Sequence, residues 1–154
     1  MKKLLFTAMA TTALSLSMTT TALSLSISQG ESIKIGVLLG FTGPIESMAP
    51  DMAAGAELAM KEINTSGLLL EGSTLIPVRA DSTCIDTAAA TAAAERLITA
   101  DKVSAIMGAG CSGTTIATLQ NVALPNGIVM ISPSATLAAL SDICLLYTSP
   151  SPRD

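Results

Sequence analysis

Short apolar segments alternate with helical patterns along most of this chain of 154 residues, and this alternation restricts its fold more than any other feature. The first apolar segment, Ile33–Leu39, is almost continuously apolar, which is typical of a strand covered on both faces. Further strands are predicted at 74–81, 103–107 and 128–131. The resulting βαβαβαβ order predicts an α/β fold with a parallel sheet and right-handed crossovers.

One proline suggests the order of the strands. Pro77 lies inside the second strand and cannot donate a ladder hydrogen bond, so we expect that strand at the sheet edge. The simplest order is then 2-1-3-4, with helices on both faces. Ligands of such sheets bind at the carboxyl ends of the strands, where the order reverses. Three loops meet there: 40–44, 108–113 and 132–136.

The three helices are predicted from apolar spacing and from capping residues. The first begins at Asp51 and ends at Asn64–Gly67, with Glu57 and Lys61 on its polar face. Asp86 is a candidate cap for the second, which ends near residue 100, and the third spans 112–124. The residues expected to face the sheet are Met52, Ala56, Ala59, Met60 and Ile63 in the first helix, Ala90, Ala93, Ala94 and Leu97 in the second, and Ile116, Leu119 and Ala123 in the third.

Composition excludes several functional classes. The formal net charge is −4, and it becomes −6 without Lys2 and Lys3, so no basic surface for nucleic acid is expected. The chain has no His, which removes the usual base of Ser and Cys hydrolases and the commonest metal ligand. Aromatic residues make up only 2%, so the core must consist of small and aliphatic side chains. We therefore expect one α/β domain that is not an enzyme and holds no metal or cofactor.

Residues 1–26 resemble a secretory leader. Lys2 and Lys3 precede an apolar segment that runs from Leu4 through Leu16, and no acidic residue occurs before Glu31. This pattern predicts a signal peptide and a periplasmic product. A membrane anchor is the alternative, but Thr and Ser interrupt the segment.

Gly108-Ala-Gly-Cys-Ser-Gly113 has the spelling G-x-G-x-x-G and stands between a strand and a helix. In dinucleotide-binding folds this pattern follows the first strand, and an acidic residue lies about 20 positions further on. Here it follows the third strand, and the corresponding region reads Ile131-Ser-Pro-Ser. A dinucleotide-dependent oxidoreductase is therefore only the lesser hypothesis.

Three motifs occur in order along the predicted elements. They are Ile33-Lys-Ile-Gly-Val-Leu-Leu-Gly-Phe-Thr-Gly-Pro44, Gly55-Ala-Glu-Leu-Ala-Met-Lys-Glu-Ile-Asn64 and Ile131-Ser-Pro-Ser-Ala-Thr136. Together they resemble the amino-terminal lobe of periplasmic solute-binding proteins of the branched-chain amino acid class. The resemblance covers residues 32–142 and implies a periplasmic-binding-protein-like type I lobe.

The resemblance implies a function as well as a fold. Members of the class enclose an amino acid between two lobes and deliver it to the membrane permease of an ABC importer. Only the first lobe is expected in these residues, so we predict weak or undetectable binding of an amino acid or similar carboxylate. We also expect the chain to be a monomer. A ligand-sensing receptor domain of the same fold is the alternative.

The resemblance also assigns binding residues, which are Ser112, Gly113, Ser134, Ala135, Thr136 and Phe41. Independently, Ser112 is predicted at a helix N-terminus, where N–H groups and the dipole favour an anion. Thr136 is expected to open the next helix similarly. The alternative is that Ser112 is only a helix cap, that Ser134 and Thr136 shape a turn around Pro133, and that Phe41 covers the core. Thr42 and Met48 are further candidates for lining the pocket.

Two of the three cysteines follow the second and the third predicted strands. Cys84 and Cys111 lie at the same end of the predicted sheet, and a disulfide between them resembles one found in the branched-chain class. Export to an oxidising compartment favours it. A metal site formed by Cys84, Cys111 and Asp81 is the lesser alternative.

The last residues, 143–154, change in character. Ile143-Cys-Leu-Leu-Tyr-Thr-Ser-Pro-Ser-Pro-Arg-Asp154 shows no helical or strand period and is similar to translated sequencing-adapter read-through. We expect a truncated reading frame joined to foreign sequence. A natural Pro-rich tail is the alternative.

Overall fold

The computed structural model describes residues 30–143 and 147–148. The predicted leader lies outside these residues, as does most of the tail. The strands and α-helices, in chain order, are β1 (Ser32–Leu39), α1 (Ala49–Ser66), β2 (Thr74–Asp81), α2 (Thr87–Thr99), β3 (Ala105–Gly108), α3 (Ser112–Thr118), β4 (Val129–Ile131) and β5 (Tyr147–Thr148). Short 3₁₀ turns lie at Leu70–Gly72 and Ala138–Ser141, and a π-helical turn at Leu119–Ala123 continues α3.

The strands form one parallel sheet in the order β2-β1-β3-β4-β5. The predicted order 2-1-3-4 is confirmed, and β2 with its Pro77 lies at the edge. The sequence pattern did not predict β5, a two-residue strand that pairs with β4 through Met130 and Ile131.

Helices cover both faces of the sheet. On one face α2, α3 and the π-helical turn pack on Leu38, Ile106 and Met130. On the other face α1 packs on Val37 and Leu39. Gly36 explains the close approach of α2, because a Cβ atom there would lie 2.9 Å from the Leu97 side chain. The predicted inner face of α2 is confirmed, with Ala90, Ala94 and Leu97 fully buried and Ala93 packed beside them.

The predicted inner face of α1 is partly wrong. The helix begins at Ala49, two residues early, and buries Ala49, Ala53 and Met60. Ile63 lies in its last turn and is 41% exposed, and Ala59 is exposed at the side of the buried stripe. Glu57 is half-buried rather than on a fully polar face, because it bonds Arg79 of β2 and not Lys61.

An apolar groove of about 240 Å³ lies across β1, β3 and β4. Its lining residues are Ile35, Ala105, Ile106, Met107, Val129 and Ile131. Val129 and Ile131 are 43% and 53% exposed, so this part of the sheet presents aliphatic side chains to solvent.

Within residues 30–143 and 147–148, no helix combines the length and the hydropathy that crossing a bilayer requires.

Candidate functional site

Four loops meet at the carboxyl edge of the sheet, because all its strands are parallel. They follow β1 at Gly40–Pro44, β2 at Ser82–Ile85, β3 at Ala109–Cys111 and β4 at Ser132–Thr136. The reversal of strand order lies between β1 and β3, as predicted. A disulfide and hydrogen bonds connect these loops and define the candidate site.

A disulfide joins the β2 loop to the β3 loop. Cys84 and Cys111 are bonded, with their Cα atoms 5.2 Å apart, so the predicted bridge is confirmed. Since each sulfur is bonded to the other, neither is available as a thiolate, and the alternative metal site with Asp81 does not form. Cys111 directly precedes α3, so the bridge fixes the start of that helix.

Ser112 and Thr136 come together at the centre of the edge. The Thr136 N–H donates to Ser112 Oγ over 3.3 Å, although the two residues belong to different loops. Ser112 is half-buried and Thr136 is exposed, so both are reachable from solvent. Gly113 is exposed beside them, and nothing lies within 4 Å of where its Cβ would be.

Ser134 and Ser132 connect the β4 loop to the β3 loop. Ser134 Oγ donates to the Gly110 carbonyl over 2.7 Å, and Ser132 Oγ donates to the Ala109 carbonyl over 2.7 Å. Ser132 Oγ also accepts from the Ala135 N–H over 2.9 Å. Ser132 is buried, whereas Ser134 is exposed. Ser132 therefore holds the loop, and Ser134 stands at its surface.

Two details of the predicted site differ from the structure. Thr136 does not open a helix: the next turn is a 3₁₀ turn at Ala138–Ser141, with Leu137 at its N-cap. A single short turn has no aligned dipole to offer an anion, so the dipole argument fails at Thr136. The Ala135 side chain is fully buried in the core, so a solute can meet this residue only at its backbone. A role for Ala135 in binding stays a prediction.

Phe41 packs on the core beside α1 rather than beside Ser112. Its ring joins the apolar cluster of Val37, Leu39 and Ala53, and the Arg79 guanidinium carbon lies 5.5 Å from its centroid. This position corresponds to the alternative in which Phe41 covers the core. Contact between Phe41 and a solute remains a prediction.

An ion pair holds Arg79 over that ring. Arg79 Nε and Nη2 donate to both carboxylate oxygens of Glu57, over 2.5 and 2.9 Å. This hydrogen bonding lowers the pKa of Glu57 and raises the pKa of Arg79. Both side chains are partly exposed, 48% for Arg79 and 30% for Glu57, so the pair contributes little stability.

Asp81, the last residue of β2, bonds the β1 loop to the β2 loop. Its carboxylate accepts from the Thr42 hydroxyl over 2.5 Å and from the Thr42 and Thr83 N–H groups over 3.3 and 2.8 Å. Partial burial raises the pKa of Asp81, but the bonds from Thr42, Thr83 and the Phe41 N–H outweigh burial and lower the pKa below its usual value.

The model of the family described as periplasmic binding protein matches residues 32–153 of this chain. The chain belongs to the periplasmic binding protein family. The family predicted from the three motifs is therefore confirmed. The parallel sheet in the order 2-1-3-4, with helices on both faces, confirms the predicted type I fold class.

Two relatives are named for the binding of aliphatic amino acids. Leu/Ile/Val-binding protein homolog 7 of Brucella abortus is 36% identical over 88 residues, which are 57% of this chain and 21% of the relative. The Leu/Ile/Val/Thr-binding protein of Salmonella typhimurium is 32% identical over 111 residues, 72% of this chain and 29% of the relative.

This chain is also similar to a solved structure of a branched-chain amino acid binding protein. The branched-chain amino acid transporter substrate binding protein LivJ from Streptococcus pneumoniae, in complex with isoleucine, is 34% identical with a TM-score of 0.70. The similarity covers 77% of this chain and 33% of that chain. This periplasmic binding protein chain thus spans between about a fifth and a third of the proteins it resembles.

The glycines of the G-x-G-x-x-G spelling have packing roles in this periplasmic binding protein. Gly108 has φ +137°, and a Cβ there would overlap the Leu38 carbonyl of β1. A Cβ at Gly110 would lie 2.8 Å from the Ile45 side chain. Two of the three glycines are therefore explained by contacts within the chain, without a pyrophosphate.

Sequence reasoning missed two residues that organise the edge. It did not single out Ser132, and it considered Asp81 only as a metal ligand. Both stand at the end of a strand and accept from backbone N–H groups two or three residues later, as short polar side chains do in turns. That local pattern was the available signal, but the bonds of these residues to neighbouring loops depend on the tertiary fold.

Proposed function

We propose that this chain is the amino-terminal lobe of an extracytoplasmic substrate-binding component of an ABC importer for branched-chain or related amino acids. Its role is to bind, not to catalyse. The site residues are Ser112, Gly113 and Thr136 for the α-carboxylate and Ser134 for the α-ammonium, with Ala135 contributing backbone. The relatives' names, which specify leucine, isoleucine and valine, support the solute class.

The single observation that supports this proposal most concerns two serine hydroxyls, of which one is free to donate a hydrogen bond and the other is free to accept one. Ser112 Oγ accepts from the Thr136 N–H, which leaves its own proton to donate. Ser134 Oγ donates to the Gly110 carbonyl, which leaves its lone pairs to accept. A donor beside an acceptor matches the carboxylate and ammonium of one amino acid.

The chemistry needs no Arg or Lys at the site. A hydrogen bond from a neutral group to a charged one contributes about 1.5 to 3 kcal/mol, and the protein contributes several such bonds here. α3 is short, with seven residues before its π-helical turn, so we assign the carboxylate to hydroxyl and N–H donors more than to a helix dipole. A solute side chain then points toward residues on or just after the β1 loop, with Phe41 and Met48 as candidates.

The proposal also includes a second lobe, export to the periplasm and the permease of the importer. The relatives are several times longer than the matched residues, and we propose that the complete solute site is formed between this lobe and a second one. A leader at residues 1–26 would direct the protein to the periplasm, where it meets the importer's permease as a monomer.

Titration of the isotope-labelled chain with L-isoleucine, followed by NMR, tests the assignment. We expect weak binding at millimolar solute, with chemical-shift changes concentrated at Ser112, Gly113 and Thr136. Isoleucinamide, which keeps the ammonium and the side chain but lacks the carboxylate, should not shift these amides. Ser112→Ala should abolish the changes, whereas Ser104→Ala, on an exposed serine before β3, should preserve them.

Two results would contradict the proposal. One is a folded chain whose amides respond equally to isoleucine and isoleucinamide, because the carboxylate would then not be recognised. The other is a response located away from the β3 and β4 loops. Micromolar binding by calorimetry would separately contradict the expectation that one lobe binds weakly.

A further inference from the structure

The β2 loop contains two consecutive residues with unfavourable backbone conformations. Thr83 has φ +55° and Cys84 has φ +79°, although neither is glycine. Such conformations persist only where surrounding contacts hold them, and they concentrate at ligand-binding segments. The contacts that hold this loop therefore bear on the site.

Asp81 makes the contacts on one side of these residues. Its Oδ1 accepts from the Thr83 N–H over 2.8 Å, while Oδ2 accepts from the Thr42 hydroxyl over 2.5 Å. The Thr83 carbonyl in turn lies so near Gly43 that a Cβ atom there would approach it to 2.5 Å. One carboxylate thus holds the β1 loop and the β2 loop against each other.

The disulfide extends this connection to the solute site. Thr83 directly precedes Cys84, Cys84 is bonded to Cys111, and Cys111 directly precedes Ser112. Ser112 accepts from Thr136 in the β4 loop. All four loops are therefore joined in series, from Thr42 of the β1 loop through Asp81 and the disulfide to Thr136 of the β4 loop.

We propose that Asp81 is a positioning residue of the solute site, which holds the β1 and β2 loops together and thereby places Ser112 through the disulfide. This inference rests on the proposed function for its solute, but its effect on the loops is measurable without any ligand. Asp81 itself touches no solute in this assignment.

The contacts that hold the two loops depend on the charge of the Asp81 carboxylate, so the charged groups around it matter. Along β2 the nearest charged residue is Arg79, which is bonded to Glu57 of α1, and the β2–α2 connection contributes Asp86, whose carboxylate caps α2. The segment between the β1 loop and α1 contributes Glu46, which is exposed. Among the described residues no ion pair includes Asp81, so hydrogen-bond donors alone stabilise its charged form.

The sign of the pH dependence follows from these donors. They favour the carboxylate, so the pKa of Asp81 in the folded chain lies below its usual value. The loop contacts are complete above the unfolded value of about 3.9 and weaken as pH falls through the lower folded pKa. The amide protons of Thr42 and Thr83 should therefore titrate together, with a midpoint below about 3.9.

Two substitutions at Asp81 distinguish the effect of its charge from the effect of its hydrogen bonds. In Asp81→Asn an amide oxygen can still accept from Thr83, and the amide nitrogen can donate to the Thr42 hydroxyl, so the loops should stay ordered. The shared titration should disappear. In Asp81→Ala all these bonds are lost, and hydrogen exchange at the Thr42 and Thr83 amides should accelerate about ten- to a hundredfold.

Asp86→Asn is the matched control, because it makes the same chemical change five positions away. Asp86 accepts from the Ala88 and Ala89 N–H groups, and Asn caps helices as well as Asp does. This variant should leave both the exchange rates and the titration of Thr42 and Thr83 unchanged. If Asp81→Ala does not fold, Thr42→Val replaces it: loss of the hydroxyl donor should move the shared midpoint upward.

The outcomes distinguish this inference from the proposed function. Exchange at Thr42 and Thr83 that is identical in wild type and Asp81→Ala, or amides that do not titrate in wild type, would overturn the positioning role. If these amides respond as expected and Asp81→Ala also loses the isoleucine response at Ser112, the positioning role is supported. If wild type responds equally to isoleucine and isoleucinamide while the loop amides depend on Asp81, the role in loop order stands and the proposed function fails.

Discussion

Ser132 shows how much of the site's order depends on one hydroxyl. It is 2% exposed, and it donates to the Ala109 carbonyl of the β3 loop while accepting from the Ala135 N–H of its own loop. The Ser134 N–H also points at this oxygen, over 3.4 Å. The loop that carries Ser134, whose hydroxyl is proposed to meet a solute, is thus held by a second hydroxyl that is buried.

Replacement of Ser132 by Ala should lower the free energy of unfolding by about 1 to 3 kcal/mol, because buried partners lose their bonds. Chemical denaturation measures this, and Ser104→Ala is the control. Ser104 is exposed, so its substitution should stay within about 0.5 kcal/mol of wild type. Equal stability of the two variants would show that Ser132 does not organise the loop.

At the scale of elements, the disulfide ties the βα connection after β2 to the one after β3. It closes a loop with a sequence separation of 27, for which the chain-entropy model gives about 3.5 kcal/mol. The double variant Cys84→Ala/Cys111→Ala should therefore unfold at markedly lower denaturant concentration. Cys144→Ala removes a thiol outside the described residues and should leave stability unchanged.

Free-thiol counting checks the same bridge directly. The chain has three cysteines, so one reactive thiol should appear per denatured chain without reductant. More than one would contradict the Cys84–Cys111 pairing.

The elements that the sequence predicted well are those whose signals are local. Pro77 placed β2 at the edge because a missing N–H is intolerable inside a sheet, and Asp86 marked the start of α2 because its carboxylate caps the two N–H groups that follow. Gly67, with φ +65°, ended α1 as expected. Each of these effects acts within a few residues.

The features that the sequence did not predict depend on distant partners. Glu57 was expected beside Lys61, but Arg79 of the neighbouring strand offers two parallel bonds to its carboxylate. The helix at 112–124 was expected to be uniform, yet it changes to a π-helical turn at Leu119–Ala123. The buried side chains of this turn belong to the main apolar cluster. The role of Asp81 likewise depends on Thr42, which is 39 residues away.

At the scale of the whole molecule, the two faces of the sheet are covered unequally. One face carries α2, α3 and the π-helical turn, whereas α1 packs on β1 of the other face. Beyond it, the groove of about 240 Å³ leaves Val129 and Ile131 substantially exposed. Exposed aliphatic surface of this kind binds apolar dyes.

The chain should therefore bind the dye ANS while natively folded, and the groove should be the site. Ile131→Asn places a polar group in the groove and should reduce the native-state fluorescence several-fold. Leu68→Asn is the matched control, because Leu68 is 88% exposed and does not line the groove, so its replacement should leave the fluorescence unchanged. Circular dichroism during thermal unfolding confirms that both variants keep a cooperative fold. Equal fluorescence of the two variants would place dye binding elsewhere and would show that the exposed strands do not form a continuous apolar surface in solution.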